Sequence, residues 1–294
     1  MELTVVDWNL GHASRKRSYK HQAAFLTGVG ADLLLLQEVN AECFHALRRH
    51  LDDAYWSRPH PVRTGLDPYG CAIFGKQRTS TPLSVSSLSD SDIDRIDGAS
   101  TRSKRARNLA LFAHVQASGM DLTVASVHIW NASGGKEYRR KRKMIDAVAE
   151  MMRRQEGPMV VGMDANGPKD DRLKVSENVY WGQRTKRDRG EYLLHKPGRG
   201  HNLTDAYRKY LHRNAAVKRQ VAEKHPSGPL AVSYLRGRGE RRIRCRYDII
   251  FLSSDLIPEG VEYREDIREK GLSDHAPVVA RISWDSRLGQ VEPL

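Results

Sequence analysis

The spacing of apolar and polar positions divides the chain into alternating strand and helix patterns. "LTVVDWNL" predicts a first strand, and "SYKHQAAFLTGVG" a helix closed by Gly28 and Gly30. "DLLLLQEV" is an unbroken apolar run, the pattern of a strand covered on both faces. "AECFHALRRHL" returns to helical spacing. "YGCAIFGK", "NLALFAHVQ" and "MDLTVASVHIW" read as strands, the last two a hairpin turning at Ser118 and Gly119. "GKEYRRKRKMIDAVAEMMRRQ" predicts a long helix with an apolar stripe at Met144, Val148 and Met151. "GPMVVGMD" predicts another buried strand, and "NLTDAYRKYL" and "AAVKRQVAEKH" two helices. "AVSYL" and "RIRCRYDIIFLS" read as strands of a second sheet. Residues 88–106 and 167–202 carry no period and read as long surface loops, because strand patterns resume on either side. One domain to about residue 285 is expected, with a short tail over 286–294.

Composition narrows the class. A chain of 294 residues can bury a substantial core, and a mean hydropathy of −0.62 with 39% apolar residues fits a water-exposed globular protein. No apolar run approaches the roughly 20 residues that span a bilayer. The chain opens directly on a strand pattern without a basic-then-apolar leader, so a cytoplasmic protein is the expectation. Cys43, Cys71 and Cys245 are widely spaced, fitting neither a disulfide framework nor a zinc site.

Charge points to a partner. Forty-nine Lys and Arg against thirty-six Asp and Glu give +13 and a pI near 9.7, which favours a polyanion, either nucleic acid or an anionic membrane surface. Three basic clusters, "TRSKRAR" at 101–107, "YRRKRK" at 138–143 and "RGRGERRIRCR" at 236–246, flank strands that end in polar groups. They read as a phosphate-following rim, with Arg102, Arg105, Arg139 and Arg244 as its contacts. Such contacts give affinity rather than base specificity.

Those strand ends carry the chemistry. Asn9 follows "LTVVDW", Glu38 follows "LLLLQ", and His128 follows "LTVASV". Asp164 and Asn166 follow "MVVGM", Asp248 stands within "RIRCRYDIIF", and Asp274 and His275 precede "PVVARI". In layered α/β folds the ends of buried strands converge on a cleft. Carboxylates with amide oxygens, and no Cys among them, suit a hard cation, Mg²⁺ or Mn²⁺. Two imidazoles add groups that exchange protons near neutral pH. A hard cation, carboxylates and imidazoles are what phosphodiester hydrolysis requires. Trp130 and Asn131, beside His128, are expected to line the cleft. Asp7 shares a strand face with Asn9 and is either a further metal carboxylate or a local hydrogen-bonding group. The other histidines, His195 and His201 among them, have no motif around them and read as surface or loop residues.

"WNLG", "LLQEV", "SVHIWN", "VVGMDANG", "RYDIIFLS" and "LSDHAPV" occur in the order and character of the endonuclease/exonuclease/phosphatase superfamily, which the chain resembles from Asn9 to about Ile282. The resemblance implies the deoxyribonuclease-I-like fold, a four-layer α/β sandwich of two packed mixed sheets flanked by helices. It implies Glu38 as principal metal ligand, helped by Asn9 and Asp274. Asp164 and Asn166 then orient or deprotonate the attacking water and hold the phosphate. His275, steadied by Asp248, faces the phosphate, with His128 the second imidazole. The apurinic-site repair branch carries Lys after the metal-binding Glu and Tyr in place of His128. This chain has Glu38-Val39-Asn40 and His128, and so resembles the branch with two histidines.

The expected function is therefore metal-dependent cleavage of DNA or RNA, with no membrane and no obligate protein partner. Within the same fold the rival is a hydrolase of phospholipid or inositol head groups. A catalytically dead nucleic-acid-binding protein is the rival from another class.

Overall fold

The computed structural model describes residues 1–11, 19–51, 55–59, 69–87, 109–132, 135–181, 190–195, 198, 200–237 and 242–285. The first half runs β1 (Glu2–Asn9), α1 (Tyr19–Val29), β2 (Leu33–Val39), α2 (Ala41–Leu51), β3 (Tyr55–Pro59), β4 (Gly70–Lys76) and β5 (Ser80–Ser87). It continues through β6 (Ala110–Ala117), β7 (Met120–His128), α3 (Gly135–Arg154), β8 (Met159–Asp164) and α4 (Gly190–His195). The last third comprises β9 (Thr204–Asp205), α5 (Ala206–Arg213), α6 (Ala215–Lys224), β10 (Tyr234–Arg236) and β11 (Ile243–Cys245). It closes with β12 (Asp248–Leu252), β13 (Ile257–Tyr263), α7 (Glu265–Glu269) and β14 (Val278–Ser283).

Two six-stranded mixed sheets result, ordered β13-β14-β1-β2-β4-β3 and β5-β6-β7-β8-β12-β9. Each is built around one parallel pair joined through a helix, β1-α1-β2 in the first and β7-α3-β8 in the second. The remaining pairings are antiparallel. Side-chain alternation then sorts the layers. Leu33 and Leu35 join Val5, Val124, Val160 and Ile250 between the sheets, whereas Leu34, Leu36, Val6 and Trp8 pack under α1 and α2. This two-sided burial is why "LLLL" is unbroken. On the far side, Met144, Ile145, Val148 and Met152 of α3 cover the second sheet, with Met151 half-buried. Helix, sheet, sheet and helix make the expected four layers, the deoxyribonuclease-I-like sandwich.

The pattern of hydrophobicity failed at the edges for a physical reason. Strands β5 and β13 are outermost in their sheets, and each contains a proline and a register shift, between Pro82 and Ser84 and between Pro258 and Gly260. Proline and bulges protect an exposed edge but erase the strand signature. "AVSYL" and "RIRC" do not join the second sheet: Tyr234–Arg236 and Ile243–Cys245 form a separate two-stranded ribbon, and only β12 enters the sheet. His195 is neither a surface nor a loop residue but the buried last residue of α4, and His201, although in a loop, is buried as well. Both lie against Phe251, and His201 bonds the Leu194 carbonyl (2.9 Å) and the Leu203 amide (3.1 Å). Residues 88–106 lie outside the described residues, while 167–202 contains α4 and a bridge between Asp170 and Val179.

That second segment is pinned by a buried cation. Arg246 is fully buried and bonds both Asp171 and Asp205, and its Nη1 donates to Tyr263 Oη (2.9 Å). Asp205 in turn caps α5, accepting from the amides of Tyr207 (3.0 Å) and Arg208 (3.2 Å). All three cysteines are free and buried. Among the described residues no helix is long and apolar enough to cross a membrane.

One polar stratum interrupts the inter-sheet core. Asp7 is buried and accepts from Gln37 Nε2 (2.7 Å), which also bonds Ser126 Oγ (3.0 Å). Asp7 is thus a local hydrogen-bonding group beneath the cleft. Burial raises its carboxyl well above the ordinary range, as does nearby Asp248. The opposite sheet makes room with Gly162, where a Cβ would strike Asp7 and lie 2.9 Å from Leu35 Cβ. Gly162→Ala is therefore expected to overpack the layer and destabilise the protein by about 1–3 kcal/mol, read as a lower urea midpoint with unchanged slope.

Candidate active site

Strand pairing sets the site's central row. Across the parallel β7–β8 pair His128 stands opposite Asp164, and across the antiparallel β8–β12 pair Asp164 stands opposite Asp248. Three polar side chains thus line up at one end of the second sheet. Like charges facing each other across a ladder repel, and burial sharpens the cost. His275 answers it. Its Nδ1 donates to both oxygens of Asp248 (2.8 and 3.1 Å), and its Nε2 lies 3.9 Å from Asp164 Oδ2. Burial alone would depress the imidazole, but the Asp248 and Asp164 carboxylates outweigh it and lift its pKa to about 10. Burial in turn raises Asp248, an effect the imidazole opposes. The pair holds its proton through neutral pH.

Asp164 is the hub. Its Oδ2 accepts from Asn9 Nδ2 (2.8 Å), its Oδ1 accepts from the Asn166 amide (3.0 Å), and His128 Nε2 lies 3.4 Å away. The Asn9–Asp164 bond fastens β1 of the first sheet to β8 of the second, and Asn9 Oδ1 accepts from the Gly11 amide (3.0 Å), which fixes the Asn9 side chain. His128 also approaches Glu38 Oε1 at 3.9 Å. Of the three non-glycine residues with left-handed backbone among those described, two border the cleft, Glu38 with φ 54° and Asn166 with φ 48°; the third, Ser118, sits in the β6–β7 hairpin turn. Glu38 sits where the β2–β4 register shifts between Leu36 and Val39, a bulge that turns its side chain into the cleft. Such strain persists where the surroundings over-determine it, and it clusters at functional sites.

The segment before β14 is bonded almost residue by residue. Gln22 Nε2 donates to the Leu272 carbonyl (2.7 Å), and Ser273 Oγ donates to the Asn9 carbonyl (2.7 Å). Trp8 Nε1 donates to the His275 carbonyl (3.0 Å), and the Ala276 amide to the Ser233 carbonyl (2.7 Å). Asp274, between them, is exposed and faces Gly11, whose φ is 65°. A Cβ on Gly11 would come within 2.5 Å of Asp274 Oδ1, so the "WNLG" glycine is what lets that carboxylate approach.

These groups open on one cleft of about 340 Å³. Glu38, His128, Asp164, Asn166, Asp274 and His275 line it, as do Trp130 and Asn131. Asn9 and Asp248 are fully buried behind it. Tyr69, Leu109 and Tyr234 line it as well, without having been singled out in the sequence. Tyr234 stacks on His275 (ring centroids 4.6 Å) and on Tyr247 (5.4 Å), a position marked in sequence only by the brief alternation of "SYLR". Arg139 is exposed on α3 and does not line the cleft. Arg244, on β11, pairs with Leu235 of β10 and so projects from the ribbon face opposite Tyr234; Arg236, on Tyr234's face, stacks over Trp181 (4.1 Å) instead. Arg102 and Arg105 lie outside the described residues.

Asp164, Asp248 and His275 bring ligand atoms within 4.8 Å of one another. Asp248, however, is fully buried with both oxygens on His275, and offers a cation no open face. The better fit is Glu38 with Asp274, whose hard oxygens both line the cleft.

A model of the endonuclease/exonuclease/phosphatase family matches residues 8–275. No curated protein matches the chain. Among solved structures it is similar to D. rerio TDP2 in complex with a single-strand DNA product, at 14% identity and TM-score 0.64, covering 96% of this chain and 99% of that one. It is similar to the endonuclease/exonuclease/phosphatase from Bacteroides vulgatus (15% identity, TM-score 0.62, 97% and 100% covered). The human Nocturnin catalytic domain with bound sulfate is a third (17% identity, TM-score 0.56, 97% and 95% covered). These likenesses show a shared fold.

The His275–Asp248 pair has a signature in stability. Because the folded imidazole is lifted to about 10, its contribution is fully present below the unfolded value of about 6.5 and is lost as pH rises through 10. Unfolding free energy should therefore fall from pH 7 to 10, and Asp248→Asn should flatten that decline. An unchanged slope in the variant would refute the coupling.

Proposed function

The chain belongs to the endonuclease/exonuclease/phosphatase family, and from that membership we propose a divalent-metal-dependent nuclease that hydrolyses DNA or RNA phosphodiester bonds. One observation carries the reading: Glu38, His128, Asp164, Asn166, Asp274 and His275, drawn from distant parts of the sequence, line a single cleft. We take residues 1–285 as one catalytic unit. His128 and His275 both approach Asp164, which supports the two-histidine arrangement.

Glu38 and Asp274 would hold Mg²⁺ or Mn²⁺, with the free lone pair of Asn9 Oδ1 behind them. The bound cation supplies charge neutralisation at the non-bridging oxygens of the phosphate. The chain's own residues do the rest. His275, cationic through its bond to Asp248, presents Nε2 to the developing phosphorane charge. Its Nδ1 is committed to Asp248, so Asp164 is left as the group that orients and deprotonates water. Asn9, bonded to one Asp164 oxygen, and the Asn166 amide, bonded to the other, fix that carboxylate's direction. Tyr69 and Trp130 line the cleft and offer rings to bases beside the scissile phosphate, which favours nucleic acid over a lipid head group. The complex of D. rerio TDP2 with a single-strand DNA product supports the same substrate class.

The test is to incubate the protein with plasmid, single-stranded DNA, RNA and a phospholipid head-group substrate, each with Mg²⁺, Mn²⁺ or EDTA. Nucleic-acid cleavage that EDTA abolishes is expected. Asp164→Asn should lower kcat by about 10²–10⁴-fold, and Glu38→Gln should raise the Mn²⁺ concentration required. Cleavage that survives EDTA or Asp164→Ala would overturn the mechanism, and activity on the head group alone would overturn the substrate. Affinity for DNA should fall steeply with salt, each phosphate contact adding about 0.9 to the log–log slope.

A further inference from the structure

Within the basic run "YRRKRK" one residue departs from its neighbours. Lys141 is only 2% exposed, while Arg139, Arg142 and Lys143 face solvent. The helical period explains it: Lys141 lies one turn before Met144 and Ile145 on the buried stripe that continues through Val148 and Met152. A buried ammonium requires partners. Lys141 Nζ forms an ion pair with Glu191 of α4, itself 2% exposed, and donates to the Asn166 carbonyl at 2.8 Å.

Asn166 is a residue whose backbone conformation needs support. Its φ of 48° is left-handed, a conformation that Asn tolerates better than other non-glycine residues but that it holds here through local bonds. Its amide is tied to Asp164 Oδ1 (3.0 Å) and its Nδ2 to the Ile129 carbonyl (2.8 Å). Both of those ties belong to the ends of β7 and β8 that carry the site. The tie to its carbonyl comes from outside, through α3 and α4. We propose that Lys141, anchored by Glu191, is a positioning residue that holds the Asn166 carbonyl and thereby the water-orienting carboxylate of Asp164. The inference rests on the nuclease reading of the cleft for its kinetic consequence, but not for its geometry.

Three variants separate positioning from bulk stability. Lys141→Met keeps the length and loses the donor, Lys141→Met/Glu191→Gln removes both buried charges together, and Lys141→Arg keeps a donor. With single-stranded DNA and Mg²⁺, kcat of Lys141→Met should fall about 10–100-fold with KM nearly unchanged, the scale of a small misplacement of a reacting group. The double variant should recover thermal midpoint without recovering kcat, and Lys141→Arg should restore part of kcat. Hydrogen exchange supplies a readout independent of turnover: the Asn166 amide should exchange faster in Lys141→Met while the amides of β8 keep wild-type protection. Recovery of kcat together with stability in the double variant, or unchanged exchange at Asn166, would overturn the proposal. If the wild type cleaves none of the nucleic acids, the nuclease reading fails, and the exchange measurement alone decides whether Lys141 holds Asn166.

Discussion

Two carboxylates facing each other across the β8–β12 ladder are the constraint on which this site depends. Asp164 and Asp248 are both buried; within the sheet His128 approaches Asp164 (3.4 Å), while Asp248 has both of its oxygens on His275. The compensation is brought by His275 from the opposite sheet, immediately before β14. Removing that imidazole would leave an unpaired buried acid, a loss of about 3–5 kcal/mol in comparable settings. The sandwich and the cleft are therefore coupled: the two sheets must close for the acids to be tolerated, and their closure presents the imidazole.

Around this pair the protein gathers two of its strained residues and a layer of buried polar groups. Glu38 and Asn166 hold left-handed conformations there, and beneath them Asp7, Gln37 and Ser126 form a buried polar stratum before the core becomes wholly hydrophobic. The strain is distributed over bonds from both sheets, from Asn9 to Asp164 and from Ser273 to Asn9. No one element carries the site.

Much of this is legible in the sequence because strand burial and the placement of polar groups at strand ends follow the same alternation. Acids and imidazoles that end apolar runs have few structural excuses, and Glu38, His128, Asp164 and His275 do meet in the cleft. The long helix, the Ser118–Gly119 hairpin and the doubly covered β2 follow from periodicity for the same reason. What escapes is what periodicity does not encode. Tyr234 enters the cleft from a ribbon too short to show a pattern. Arg246 is buried within a basic run because Asp171 and Asp205 lie distant in sequence, and Lys141 is hidden in the same way by Glu191. A charge cluster shows its composition but not which of its members turn inward.

The bonded segment from Leu272 to Ala276 has a consequence for how the gene can vary. Successive residues there answer to fixed partners, Gln22, Asn9, Gly11, Asp248 with Trp8, and Ser233, and those partners sit on different elements. A single inserted or deleted residue would shift each group onto its neighbour's partner, placing the acid where the imidazole belongs. Substitutions can be tested there one at a time, but the length of that segment is fixed, so length changes among relatives should collect in the connecting loops and be absent between Leu272 and Ala276.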